Sequence, residues 1–345
     1  MQRVFFRSTL AIAALAAGLI VPAHVPAKAT TQNQQNGQQD QQNKEVPQSG
    51  QTLKVQTALV NVFATVRDKS HFLINNLKQE DFKIFEDGQE QKVAYFSKEV
   101  NLPISLAILV DTSGSQVDVL GAEQDAATRF VHRVLRKTDE ALVMSFDLDV
   151  DLLADFTEDQ QRLEEAIRKT VINVDGSGAG GTTGTIPAGQ NGGTDFYDAV
   201  YLAAHDKLTE EAGRKAIIAL TDAEDTGSKL KVQDAIEAAQ RSDAVVHILL
   251  VSDVGFYYRA FMGYSGASVA KKMADETGGR VIEVRNNKTM ENAFDELSEE
   301  LRQQYVLGYY PTNTKRDGSF RKIKIEINRP DLRILCRRGY YAPAE

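Results

Sequence analysis

The chain has 345 residues, 42% hydrophobic and 26% charged, with a formal net charge of −8. That length accommodates more than one ordinary domain, and the balance is that of a soluble globular protein. The acidic charge gives no support for nucleic-acid binding, which favours a concentrated basic face; Lys322, Lys324, Arg337 and Arg338 form only small, interrupted clusters.

Taken in chain order, the first element is a targeting signal. Arg3 and Arg7 precede an apolar and small run over 10–21, and Ala27-Lys28-Ala29 supplies a small-residue cleavage site. This is the pattern of a secretory signal peptide over 1–29. The alternative is an uncleaved anchor, although the run is short for a membrane span. Export to the periplasm, or secretion to the cell surface, is therefore expected, with no membrane span left after cleavage. No cysteine follows the signal, which argues against a lipoprotein anchor. Residues 30–52 are rich in Gln and Asn and nearly devoid of apolar side chains. Such a segment cannot bury enough surface to offset its ordering entropy and reads as a disordered spacer.

Residues 53–100 read as β structure. A Val- and Thr-rich stretch over 55–66 and an alternating stretch over 82–86 predict strands, and Asp87-Gly88 signals a hairpin before a strand over 93–96. These predict a small sheet of three or four strands. From 103 to 302 strands and helices alternate. Strands are predicted over 104–110, 140–146, 150–156, 215–221, 244–251 and 280–284, and helices over 121–136, 160–170, 196–208, 231–241, 267–277 and 290–304. In the first helix Ala126, Ala127, Phe130, Val134 and Leu135 form one apolar stripe. The alternation predicts an α/β domain with a doubly wound, mainly parallel sheet covered on both faces, with a hairpin at 147–151 adding one antiparallel edge strand. Residues 303–345 return to β structure: 305–310 is one strand, Asp317-Gly318 a turn, and 320–328 places Ile323, Ile325 and Ile327 opposite Lys322, Lys324 and Glu326. Strand 332–341 closes the chain, with the single cysteine, Cys336, in phase with Leu332 and Ile334 and expected to be a buried, inert thiol. Segments 53–100 and 303–345 are each small for an independent core. They are expected to form one small β domain into which the α/β domain is inserted.

Asp111-Thr112-Ser113-Gly114-Ser115 follows the apolar strand 104–110. One carboxylate and two hydroxyls at the C-terminal end of a parallel strand are hard oxygen donors of the kind Mg²⁺ accepts, placed where open α/β sheets carry their sites. Gly192-Gly193-Thr194-Asp195 puts a hydroxyl at the start of a helix, and the strand 217–221 runs into Asp222. If the two strands are neighbours, all three elements converge.

These elements, in this order, resemble the von Willebrand factor A domain and its metal-ion-dependent adhesion site (MIDAS) over about residues 103–302. The resemblance implies a doubly wound fold and a site made of Asp111, Ser113, Ser115, Thr194 and Asp222. It implies Ser113, Ser115 and Thr194 as direct ligands of Mg²⁺, Mn²⁺ or Ca²⁺, and Asp111 and Asp222 as water-mediated or switching ligands. One coordination position is then filled by an Asp or Glu carboxylate of a protein partner. Asp81 to Gly88 with Gln91, Gln304 to Pro311 and Arg338 to Pro343 are similar to segments of exported von Willebrand factor A-related proteins of acidobacteria. Two features depart from the family. Ala223 stands where Gly is common and is followed by Glu224 and Asp225, either tightening cation binding or serving as solvated residues before the next helix. The loop 176–193 is long, and its Thr182 and Thr183 compete with Thr194 for the ligand role.

No other chemistry is signalled. His71, His132, His205 and His247 lack metal or protease spacing and are expected to be satisfied or exposed. There is no nucleophile elbow, phosphate loop or dinucleotide fingerprint. Phe256, Tyr257, Tyr258, Phe261 and Tyr264 suit a protein-binding rim, or packing beneath that loop. The expectation is an exported adhesion or scaffold protein, not an enzyme. The alternatives are an accessory subunit of an envelope assembly or enzyme complex, and a metal-assisted hydrolase using Glu224 or Asp225 as base.

Overall fold

The structure, a computed structural model, describes residues 59–98, 102–172, 193–251 and 266–344. The signal and spacer, the loop 176–193 apart from Gly193, and the aromatic group at 256–264 lie outside them.

At the centre is a six-stranded sheet of order β10-β9-β8-β5-β6-β7. Its strands are β5 (Ile104–Asp111), β6 (Glu140–Phe146), β7 (Val150–Thr157), β8 (Arg214–Thr221), β9 (Ala244–Val251) and β10 (Val281–Val284). All neighbours are parallel except β6 and β7, which form the expected antiparallel hairpin. β5 is buried at every position and β9 at all but one, because helices cover both faces. On one face α1 (Leu120–Val134), α2 (Gln160–Arg168) and α6 (Asn287–Arg302) pack on Leu106, Ile108 and Val110. On the other, α3 (Phe196–Leu202), α4 (Val232–Arg241) and α5 (Gly266–Thr277) pack on Ala107 and Leu109. The predicted helix over 196–208 is α-helical only to Leu202 and runs on as a π-helix, Ala203–Leu208. After β7 the chain returns to the far side of β5, so the winding reverses between β5 and β8, opening a crevice at their C-terminal ends.

The remaining strands form two four-stranded antiparallel sheets, where one small sheet is the expectation for residues 53–100. One has the order β13-β1-β11-β4, with β1 (Val60–Arg67), β4 (Val93–Ser97), β11 (Tyr305–Tyr309) and β13 (Arg333–Leu335). The other has the order β14-β12-β2-β3, with β2 (Phe82–Glu86), β3 (Gln89–Gln91), β12 (Phe320–Ile327) and β14 (Gly339–Tyr341). Each sheet draws strands from both sides of the α/β insertion. The Asp87-Gly88 turn, with φ of 49° and 84°, folds β2 onto the short polar β3 and not onto β4. Two residues at positive φ match the right-handed twist of a tight hairpin. β4 instead pairs with β11. The two sheets enclose Val62, Ile84, Tyr305, Leu307, Tyr309 and Ile325. Cys336 packs against this core, partly buried, and burial pushes its thiol up to about 11.

Buried charge joins the layers. Glu300 on α6 accepts from Arg67 of β1 at 2.8 Å and from Arg280 at 2.7 Å. His247 on β9 faces these three charges, fully buried with neither ring nitrogen hydrogen-bonded. It is thus neither satisfied nor exposed, contrary to expectation, and its burial holds the ring down at about 4. Burial acts to raise Glu300, but His247, Arg280 and Arg67 outweigh it and hold the carboxyl below its usual range. Removing one member of a buried ion group strands the others, so Glu300→Ala should cost about 3 kcal/mol in denaturant unfolding. Acid should weaken the fold through both groups. An unfolded histidine gains its proton near pH 6.5 and the buried ring only near 4. Its contribution is therefore complete above pH 6.5 and falls by on the order of 3 kcal/mol towards pH 4. His247→Leu should flatten the stability profile over that interval, as read by urea unfolding at a series of pH values.

Candidate functional site

Asp111 ends β5 inside the crevice and is fully buried. Its Oδ1 accepts the Ser113 N–H at 2.9 Å and its Oδ2 accepts the Thr221 hydroxyl at 2.5 Å. The side chain therefore closes its own loop and ties β5 to the end of β8. Asp222, the next residue of that strand end, is also buried, and its Oδ1 accepts the Glu224 N–H at 3.1 Å. Burial, and then the charge of Asp222, push the Asp111 carboxyl up to about 7. Two acids held this way favour a cation between them.

The turn after Asp111 turns its hydroxyls to two sides. Thr112 donates to Asp147 at 2.9 Å, pinning the loop to the end of β6. Ser113 and Ser115 place their Oγ atoms 3.1 Å apart, and the Gln116 amide donates to Ser115 Oγ at 3.1 Å. Adjacent ligands of an octahedral ion at about 2.1 Å lie roughly 3 Å from each other, so this spacing fits one small divalent cation. Thr194 enters from across the crevice. Its N–H donates to Thr226 Oγ1, and its carbonyl accepts the Thr226 and Gly227 N–H groups at 3.1 and 3.2 Å. The Asp195 N–H donates to the Asp147 carbonyl at 2.7 Å. Segment 194–195 is thus fastened to loops after β6 and β8 and passes over the end of β5, which lies between them.

The structure joins Asp111, Ser113 and Ser115 directly, Asp222 to Asp111 electrostatically, and Thr194 through its backbone to the loop after Asp222. Among the described residues no group of three or more His, Cys, Asp or Glu could hold a metal ion. An ion held by Asp111 and Asp222 would draw further ligands from the hydroxyls beside them, a hard oxygen set that suits Mg²⁺ more than a soft metal. Asp225 is not simply solvated: it is half-buried, and its carboxylate accepts the Tyr197 N–H at 3.0 Å and the Ser228 hydroxyl, covering the start of α3. Ala223 has a φ of 58°, the left-handed region where Gly carries no penalty. Thr221, Gln116 and Thr226 were not singled out by motif, since each matters through the partner it meets in space. Glu123 was also missed, though it carried a signal: it stands three, four and seven residues before Ala126, Ala127 and Phe130, on the buried stripe of α1.

A family model for the von Willebrand factor type A domain matches residues 106–224. The chain carries a von Willebrand factor type A domain. The match covers the strand ends that bear Asp111 and Asp222 and everything between them. No curated protein matches the chain. Solved structures similar to it include the conserved hypothetical protein BatB from Bacteroides thetaiotaomicron, at 18% identity, covering 57% of this chain and 98% of that one with a TM-score of 0.42. A von Willebrand factor type A protein from Catenulispora acidiphila is similar at 12% identity, over 76% of this chain and 74% of that one, TM-score 0.46. The vWF domain of the type V pili tip protein Mfa5 from Porphyromonas gingivalis is similar at 13%, over 59% and 96%, TM-score 0.42.

One glycine holds the floor of the type A site. A Cβ on Gly266, at the start of α5, would lie 2.3 Å from the Asp222 carbonyl oxygen and 2.7 Å from the Ala223 carbonyl carbon. Both are backbone atoms and cannot swing aside. Gly266→Ala should therefore cost about 2 kcal/mol by overpacking, read as a lower denaturation midpoint.

Proposed function

We propose that this chain is an exported protein that binds a protein partner through a divalent cation and catalyses no reaction. The observation that carries the reading is the Ser113–Ser115 hydroxyl pair, 3.1 Å apart beside buried Asp111 in the crevice of the type A domain. Ser113, Ser115 and Thr194 would hold Mg²⁺, Mn²⁺ or Ca²⁺, with Asp111 and Asp222 as water-mediated or switching ligands. When bound, the ion supplies a concentrated positive charge for an Asp or Glu carboxylate of the partner. The protein's own task is to keep its donors in place. The Thr221 hydroxyl and the Ser113 N–H hold the two oxygens of Asp111, and Thr112 anchors the loop between them and Ser115.

Export rests on the basic, then apolar, N-terminus and its Ala27-Lys28-Ala29 site; no helix of the described residues is long and apolar enough to cross a membrane. A metal-assisted hydrolase would need a free general base near the ion. The engagement of Asp225 with Tyr197 and Ser228 counts against it in that role.

Thermal unfolding of the purified protein in EDTA and in millimolar Mg²⁺ tests the reading. At 100 times its dissociation constant the ion should add about 2.7 kcal/mol, and Asp111→Ala should not respond. Identical melting of the wild type in EDTA, Mg²⁺, Mn²⁺ and Ca²⁺ would overturn it.

A further inference from the structure

Glu123 lies in the first turn of α1, the helix that follows the Asp111–Ser115 loop. Its residue is fully buried, and both carboxyl oxygens are without a hydrogen-bond partner. Among the described residues no other acid has both oxygens buried and unpartnered. The contrast with the other buried acids is sharp: Glu86 accepts from Tyr309, Tyr340 and Arg321, Asp139 from the Ile104 and Arg136 N–H groups, and Glu300 from Arg67 and Arg280.

An isolated buried carboxylate is costly, and a buried carboxylic acid with no partner also forfeits its hydrogen bonds. Proximity to the positive end of α1 offsets part of this, but that effect needs no burial. Among the described residues the charges that act on Glu123 are those of Asp111 and Asp222, both repulsive; burial and then these two aspartates push its carboxyl well above the usual range. A second orphan lies on the same loop. Gln116 spends its amide N–H on Ser115, while its own Oε1 is buried without a partner. Three carboxyls and an unpaired carbonyl are thus gathered where hydroxyl and N–H groups are the only donors the hydrogen bonds show. Among the described residues this collection shows no positive charge.

We propose that Glu123 belongs to the cation site, as a third, buried carboxylate whose charge the bound ion balances. The inference rests on the metal-dependent reading of the type A site. It gives the ion a third acid to balance, beside its ligands and not among them, supplied by the helix and not by the strand ends. Cation binding then relieves a defect built into the metal-free protein, and α1 is coupled to occupancy through its first turn.

Two measurements on the whole protein test it: titration calorimetry with Mg²⁺, and urea unfolding in EDTA at pH 8, for the wild type, Glu123→Gln and Glu123→Ala. The expected result is at least tenfold weaker Mg²⁺ binding in Glu123→Gln, with stability in EDTA equal to or above that of the wild type, because the buried acid that Asp111 and Asp222 repel is gone. A residue that serves only packing would show the reverse, stability lost in EDTA with affinity kept. Unchanged Mg²⁺ affinity in a folded variant overturns the role of Glu123 and leaves the metal-dependent reading standing. Absence of Mg²⁺ binding by the wild type overturns both. Equal losses of stability in EDTA and Mg²⁺, or failure of both variants to fold, make Glu123 structural and overturn the inference.

Discussion

Burial of an acid at the end of a central strand is the constraint around which the α/β domain is arranged. Asp111 gives up hydration entirely, and both its oxygens must be met within the protein. One is met by the Ser113 N–H of its own loop, the other by the Thr221 hydroxyl at 2.5 Å from the adjacent strand. The second bond requires β5 and β8 to be neighbours in register, as the pairing of Val110 with Leu220 provides. A slip of one residue would turn Thr221 to the opposite face of the sheet and expose the acid to an apolar interior. Sheet order, loop shape and the spacing of the two serine hydroxyls therefore stand or fall together.

A different solution to buried charge operates in the β sheets. Glu86 is surrounded by the hydroxyls of Tyr309 and Tyr340 and approached by Arg321, and the two tyrosines are held un-ionised, first by burial and then by that carboxylate. Arg321 also donates to the carbonyls of Asn313 and Lys315, closing the loop that leads into β12. Where these acids are saturated with donors, the crevice of the type A domain gathers acids and leaves Glu123 without any. Within the crevice itself the two cases meet, since Asp111 is hydrogen-bonded through both oxygens while Glu123, which it repels, is bonded through neither.

Much of the α/β domain was legible because its strands are buried on both faces. Strands at 140–146 and 244–251 coincide with β6 and β9, whose short, mostly apolar sequences suit burial on both faces. Ile323 and Ile325 alternate with exposed Lys322 and Lys324 for the same reason, with one face buried and one wet. The β sheets were less legible. β3, Gln-Glu-Gln, has no apolar pattern and exists because its backbone pairs with β2. β4 joins β11 and not the adjacent hairpin, a choice made by long-range packing of Phe96 against Phe82 and Tyr305. In the crevice, residue types and spacing pointed to Asp111, Ser113, Ser115, Thr194 and Asp222. Glu123 required knowing that the polar member of an apolar stripe has no partner, which spacing cannot reveal.

The division of both β sheets across the insertion has a kinetic consequence. Tyr309 and Tyr340 reach Glu86 across 223 and 254 residues of chain. Until α6 has been made and docked, β1 has no strand to pair with and β2 has only the short β3, while all the pairings of the α/β sheet except β5 with β8 join successive strands. Non-local pairings of this kind are slow, because the loop must close before any contact rewards it. The β layer should therefore be the last part to assemble, using the folded insertion as the clamp that brings its two halves within reach, and its unpaired edges are where a stalled chain would aggregate.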